Sequence, residues 1–179
     1  MNLHLGCWHR YIPGFIHIDL CDMEHIDYKS DIGNLEFIEN ESVDYIYCSH
    51  ALEYKNFDEC QLVLKEWFRV LKRGGICRIA VPDFEKLIKL YNSTRDIDKI
   101  IGPLYGKMDL NENKIYHRCV FDFQKLEKLL NEIGFSSIKR YDWRNTEHAN
   151  IDDHSQAYYP HMDKENGLLI SLNIEAHKL

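Results

Sequence analysis

Short apolar runs alternate along this chain with stretches in which apolar residues recur every three to four positions. Runs of that length read as strands and the longer period as helix. Leu3 and Leu5 form a first run that breaks at Gly6; Phe15, Ile16 and Ile18 form a second that ends on Asp19, with Pro13 and Gly14 closing the loop between. Residues 27–31 make a short third edge, and Val43-Asp44-Tyr45-Ile46-Tyr47-Cys48 a clear strand that enters a turn at 49–54. Asp58 with Gln61 reads as a capping box for a helix whose stripe is Val63, Leu64, Trp67, Val70 and Leu71. Lys72-Arg73-Gly74-Gly75 then supplies cations and a left-handed glycine for its end.

Residues 76–81 are the next strand, stopped by Pro82, and Asp83 caps a helix carrying Leu87, Ile88, Leu90 and Tyr91. Residues 93–120 are the least regular part: Gly102-Pro103-Leu104-Tyr105-Gly106 argues against any regular element, and a loop over the site is expected here. Asp122 caps a further helix with Leu126, Leu129, Leu130 and Ile133 inward, ended by Gly134. Strands at 135–143 and 168–176 follow with no helical pattern between them, which predicts an antiparallel edge pair. The pattern predicts one α/β domain over 1–179, with an irregular insertion at 93–120. No full crossover helix fits between Gly6 and Phe15.

A chain of 179 residues suits a single core. The net charge of −7 argues against a broad nucleic-acid surface, which needs a basic face. No apolar run approaches the roughly 18 residues that span a bilayer, and the first residues lack the basic segment and apolar core of a secretion signal, so a cytoplasmic protein away from membranes is expected. Cys7, Cys21, Cys48, Cys60, Cys77 and Cys119 include no C-x-x-C pair and read as free, mostly buried thiols.

The chemistry begins at the first strand. Strand, glycine turn, strand and terminal acid are how an open α/β sheet builds a site for an adenosine-containing ligand. Gly6 lets the backbone approach, and Asp19 can accept bonds from both ribose hydroxyls. There is no G-x-G-x-x-G, and Asp19 follows sooner than the usual spacing of about 20 residues, so a plain buried strand pair is an equal reading of these residues alone. Cys7, His9, Cys48 and His50 raise the question of zinc, but their one-residue gaps are not the usual ligand spacing, and no metal is expected.

Several landmarks together are those of a known family: Leu5-Gly6-Cys7, Ile18-Asp19, Asp31-Ile32, His50-Ala51-Leu52-Glu53, Leu71-Lys72-Arg73-Gly74-Gly75, Val81-Pro82-Asp83-Phe84 and Gly134-Phe135. On these the chain resembles, nearly end to end, the class I S-adenosylmethionine-dependent methyltransferases of the type 11-like group. The resemblance implies a Rossmann-like open sheet of about seven strands, mostly parallel with a reversed last strand, in the order 3-2-1-4-5-7-6, with helices on both faces. It implies S-adenosylmethionine as cofactor and S-adenosylhomocysteine as product. By position, Gly6 would approach the methionine part, Asp19 the ribose, Asp31 and Ile32 the adenine, and Ser49 and His50 the sulfonium and acceptor. Trp8 stands where relatives usually have glycine, and Arg10 is the available donor for the methionine carboxylate.

Methyl transfer from a sulfonium is mostly alignment, with a base needed only when the acceptor must lose a proton. His50, at the carboxyl end of a strand, and His117, at the end of the irregular segment, are the candidate bases; each also reads as a residue that fixes its own loop. Asp83 is explained by its cap, and Asp152-Asp153-His154-Ser155 reads as a solvated loop by default, with a wall of the acceptor pocket as the alternative. The expected activity is methyl transfer to a small-molecule or sugar-like acceptor. Part of that site is expected from 93–120 or from a second subunit of a homo-oligomer. The alternative is a non-catalytic module of the same fold that lost its cofactor behind Trp8. A nicotinamide reductase is set aside for want of a Tyr-x-x-x-Lys pair and a full glycine fingerprint.

Overall fold

The computed structural model describes residues 1–110 and 113–179. Its centre is a seven-stranded sheet. β1 (Asn2–Leu5) lies between β2 (Ile16–Asp19) and β4 (Val43–Ser49), parallel to both, and β3 (Tyr28–Lys29) extends the edge beyond β2. Helix α1 (Phe57–Val70) leads to β5 (Leu71–Pro82), and α2 (Phe84–Thr94) follows it. α3 (Asp98–Tyr105), the hairpin β6 (Lys107–Leu110) and β7 (Asn113–Tyr116), and α4 (Phe123–Ile133) come next. β8 (Ser136–Arg140), the pair β9 (Tyr158–Tyr159) and β10 (Leu168–Leu169), and β11 (Ser171–His177) complete the chain.

The sheet order is β3-β2-β1-β4-β5-β11-β8, and β11 runs antiparallel to both neighbours. This is the mixed sheet with a reversed last strand that the family resemblance implied. The first crossover, residues 6–15, contains no helix. Among the described residues no helix is long and apolar enough to cross a membrane, and all six cysteines are buried and free.

Period-two alternation puts Leu3, Leu5, Ile18, Ile46, Cys48, Ile79, Val81, Leu172 and Ile174 on one face, where α1 and α4 cover them. Trp67 of α1 is fully buried there and donates from Nε1 to the Ile32 carbonyl at 2.7 Å. The opposite face carries His4, His17, Tyr45, Tyr47, Arg78, Asn173 and Glu175. Residues 141–157 bond to its Tyr47, Arg78 and Asn173.

Four local expectations are corrected. The cap of α1 is Asn56, not Asp58: Asn56 accepts from the Glu59 amide at 2.9 Å, and Glu59 accepts from the Asn56 amide at 2.8 Å. Asp58 then sits in the first turn, where the dipole favours an acid. At the other end no glycine cap forms, because Leu71 is already extended and Lys72-Arg73-Gly74-Gly75 belong to β5. The ammonium of Lys178 meets the Phe68 and Leu71 carbonyls, both at 2.8 Å.

Gly102 and Pro103 lie inside α3, where Ile100 and Leu104 pack on Leu87 and Leu90 of α2; this burial outweighs the one donor that proline removes. The predicted strands at 135–143 and 168–176 are each divided: Trp143 turns into a short 3-10 segment, and residues 168–169 pair with β9 rather than the main sheet.

Candidate active site

The carboxyl ends of the parallel strands open on a cavity of about 960 Å³. Gly6, Asp19, Asp31, Ile32, Ser49 and His50 line its sheet side. The hairpin β6–β7 lies across from them with Met108, Leu110, Ile115 and Tyr116, and His117 follows it. All seven residues singled out in the sequence, Gly6, Asp19, Asp31, Ile32, Ser49, His50 and His117, therefore meet on one cavity.

Gly6 has φ +64°, and a Cβ there would stand 2.3 Å from the Cβ of Ala51. Its first requirement is thus the approach of β1 to the turn after β4, a reason the sequence did not disclose. Asp19 is buried, and its two oxygens each accept one amide, from Trp8 at 2.8 Å and Cys21 at 2.8 Å. Those bonds fix the carboxylate and leave lone pairs facing the cavity. Asp31 accepts from the Gly33 amide at 2.8 Å and pairs with Lys55 at 2.5 Å.

The Ser49 hydroxyl is buried with no partner among the described residues. Trp8 has φ 45°, packs at a tilt against the His9 ring and is about one-third exposed. It is a wall of the cavity and does not fill it. Arg10 also lines the cavity and donates from Nε to the Asp152 carbonyl at 3.1 Å. Cys7 is no nucleophile: burial first, then Asp19, pushes its thiol up to about 12.

The histidine side is more constrained than the sequence implied. His50 follows β4 in the left-handed region, φ 53°. Its Nε2 lies 3.0 Å from the Ser171 hydroxyl, which itself donates to Asn173 Oδ1 at 2.8 Å. The Asn173 amide is oriented by donating Nδ2 to the Ser155 carbonyl at 2.8 Å. Ser171 has spent its one proton, so His50 Nε2 carries a hydrogen and, in the neutral ring, Nδ1 does not. His117 holds Nδ1 at 3.1 Å from the Pro103 carbonyl, which only accepts, so its Nε2 is the free lone pair.

Both bare nitrogens lie beside the same Glu53 oxygen, at 3.3 Å for His50 Nδ1 and 3.7 Å for His117 Nε2. Glu53 is fully buried, and burial raises its carboxyl to about 8. Burial also lowers both imidazoles, helped at His50 by His154 and His117. Gly106 makes room for this arrangement: a Cβ there would stand 2.0 Å from His117 Nε2.

A model of the type 11 "Methyltransferase domain" matches residues 17–79. The demethylmenaquinone methyltransferase of Staphylococcus saprophyticus is 33% identical over 131 residues, 66% of this chain and 52% of that protein. The ubiquinone/menaquinone biosynthesis C-methyltransferase UbiE of Sinorhizobium fredii is 27% identical over 123 residues, 63% of this chain and 45% of that one. A SAM-dependent methyltransferase of Thermotoga maritima superposes on 99% of the chain, and on 82% of its own, with a TM-score of 0.61 at 16% identity. By these matches the chain is similar to the class I S-adenosylmethionine-dependent methyltransferases.

The chain spans about half the length of the curated methyltransferases it matches. The Burkholderia thailandensis 1,6-didemethyltoxoflavin-N1-methyltransferase, solved with S-adenosylhomocysteine, shares the fold at a TM-score of 0.54 and 14% identity, covering 99% of this chain and 70% of that one. S-adenosylmethionine is the family's methyl donor, and the donor set of this cavity fits it. An unpartnered buried hydroxyl at Ser49, a fixed carboxylate at Asp19 and a guanidinium at Arg10 are what a nucleoside with a charged amino-acid tail requires.

Sequence reasoning overlooked Lys55, which pairs with Asp31, and Glu53, which was quoted within a landmark and given no role. The one available signal for Glu53 was its place three residues after His50, in a turn flanked by buried apolar positions. Asp153 and Ser155 were expected in a solvated loop, but both are buried, and Asp153 and His154 line the cavity. Among the described residues no cluster of three or more His, Cys, Asp or Glu side chains has the geometry to hold a metal.

Proposed function

We propose that this chain transfers the methyl group of S-adenosylmethionine to a small, flat, largely apolar acceptor. The observation that carries the reading is one cavity walled on the sheet side by Asp19, Asp31 and Ser49 and on the other by an apolar hairpin ending in His117. Asp19 would take the ribose hydroxyls, Asp31 and Ile32 the adenine edge, and Ser49 with Gly6 the methionine part, with Arg10 against its carboxylate. When bound, the donor supplies the sulfonium methyl; this chain's residues align the acceptor, exclude water and receive its proton.

Met108, Leu110, Ile115 and Tyr116 favour a ring over a sugar, whose hydroxyls need a row of polar partners. Both curated relatives quoted above are named for quinone methylation, so a reduced naphthoquinone is the first acceptor to try. A sugar-like acceptor is the second reading, supported by Lys107 and Lys114 on the same wall.

Calorimetry with S-adenosylhomocysteine tests the donor half. Micromolar binding is expected, and Asp19→Ala should weaken it on the order of 100-fold, the loss of a charged two-point contact. No binding at millimolar ligand would return the chain to a non-catalytic module. In that case Trp8→Gly tests the cause: restored binding would make the indole responsible.

A further inference from the structure

Glu53 is the buried acid that nothing above uses. It does not line the cavity, yet it lies directly behind the two histidines that do. Neither of its oxygens has a hydrogen-bond partner among the described residues. An ionised carboxylate left that way would be very costly, whereas a carboxylic acid beside two bare imine nitrogens is not.

We propose that Glu53 is a positioning residue that holds a proton in reserve between His117 and His50 and lets His117 take the acceptor's proton. This rests on the methyl-transfer reading above. At rest all three groups are neutral: Glu53 is protonated, His117 Nε2 is bare, and His50 Nδ1 is bare. As the methyl–sulfur bond breaks, its electron pair stays on sulfur and the methyl carbon bonds to the acceptor. The acceptor's proton goes to His117 Nε2. The imidazolium formed there draws negative charge onto Glu53, whose proton crosses to His50 Nδ1.

The result is a carboxylate between two imidazoliums, one net positive charge gained. The sulfonium loses one in the same step, so the total charge of the buried site is unchanged. That matters where the dielectric is low, because a net new charge there would be heavily penalised. After product release the proton returns to water through His117, which faces the cavity.

The other groups packed on Glu53 do not compete for this role. The Cys119 thiol is pushed up by its hydrogen bond with Cys60 and by burial, and the Tyr54 hydroxyl is pushed up to about 12 by burial and then by Glu53. The cation on the segment after β7, Arg118, sends its guanidinium away to Glu59 at 2.7 Å. His154 lies beside the His50 ring, 5.2 Å away between centroids, and its charge would oppose a proton on either histidine. The backbone carbonyl of Glu53 is tied to the Arg118 amide at 2.8 Å, which fixes the turn and leaves the carboxyl free to serve the histidines.

The test has one arm that needs no acceptor. NMR of the full chain with ¹³C-labelled carboxyls and ¹⁵N-labelled histidines should show Glu53 protonated at pH 6, with His50 as the Nε2–H tautomer and His117 as the Nδ1–H tautomer. An ionised Glu53 at pH 6 overturns the proposal whatever the acceptor proves to be. The second arm compares Glu53→Gln with the wild type.

S-adenosylhomocysteine affinity should stay within about twofold. With a reduced naphthoquinone, kcat should fall on the order of 100-fold at constant KM, and the kcat–pH profile should lose the limb near pH 8. Glu53→Asp should recover part of the rate and restore a shifted limb. A Glu53→Gln enzyme with unchanged kcat and pH profile overturns the proposal. Failure of the wild type to bind S-adenosylhomocysteine refutes the methyltransferase reading instead, and leaves the NMR arm to decide the protonation of Glu53.

Discussion

The two faces of the central sheet are built on opposite principles. One face is hydrocarbon: Leu3, Leu5, Ile46, Ile79 and Leu172 under the amphipathic stripes of α1 and α4. The other is polar: His4, His17, Tyr47, Arg78, Asn173 and Glu175, all buried. Much of its cover is coil of matching polarity. Tyr47 donates to Asp153, Arg78 donates to Glu147 at 2.9 Å, and Asn173 donates to the Ser155 carbonyl. The hydrocarbon face supplies non-directional burial that any helix of the right stripe could use. The polar face supplies direction, and it delivers Asp153 and His154 to the cavity wall. Stability and site geometry are therefore drawn largely from different sides of the same strands.

The comparison breaks first on the hydrocarbon side. Trp67→Ala removes a fully buried indole and its bond to Ile32, and should cost about 3–5 kcal/mol in equilibrium denaturation. A loss under about 1 kcal/mol would mean that this face is not the main source of stability. The polar face should be next. Burial alone would raise the Glu175 carboxyl, but bonds from Arg78, Lys139 and His177 more than offset it and hold the group down near 2.

A carboxyl depressed on folding stabilises above its unfolded pKa of about 4.5 and loses that contribution as pH falls toward 2. Glu175→Gln should cost about 2–4 kcal/mol at pH 7, leaving Arg78 buried and short of one partner. The gap between variant and wild type should close as the pH is lowered through that window. A gap that stays constant down to pH 2 would remove Glu175 ionisation from the account.

The hydrocarbon face was legible because each of its strands and helices carries its own period. The alternation of Leu3-His4-Leu5 and Leu172-Asn173-Ile174-Glu175 was equally visible, but it normally describes a sheet with one side in water. What hid the second face is that its cover, residues 144–156, has the composition of an exposed loop. Polar residues bury at low cost only when their partners are also polar, and that pairing spans some hundred positions, as from Tyr47 to Asp153. The site was legible to the same extent. Residues at strand ends, Gly6, Asp19 and Ser49, follow from topology. Glu53 and Lys55 derive their meaning from groups brought by other segments, so their neighbours in sequence say little.

The smallest change tests the pairing of the polar face most directly. Tyr47→Phe keeps the ring that packs at a tilt against His148, 3.9 Å between centroids, and deletes only the hydroxyl whose hydrogen Asp153 accepts. Asp153 retains the Ser155 amide at 2.8 Å, so the loss is one charge-assisted bond, about 1–2 kcal/mol. Ile79→Val on the other face should cost a similar about 0.5–1.5 kcal/mol. The two differ in where the loss is felt. A methylene taken from the hydrocarbon cluster weakens the whole fold, so hydrogen exchange should accelerate most at the best-protected amides of the central strands. The missing hydroxyl loosens the clasp itself, so exchange at the Ser155 and Gln156 amides should rise about tenfold while the central strands keep most of their protection. If Tyr47→Phe speeds the central strands as much as the clasp, the polar cover is an integral part of the core rather than a separately held wall of the active site.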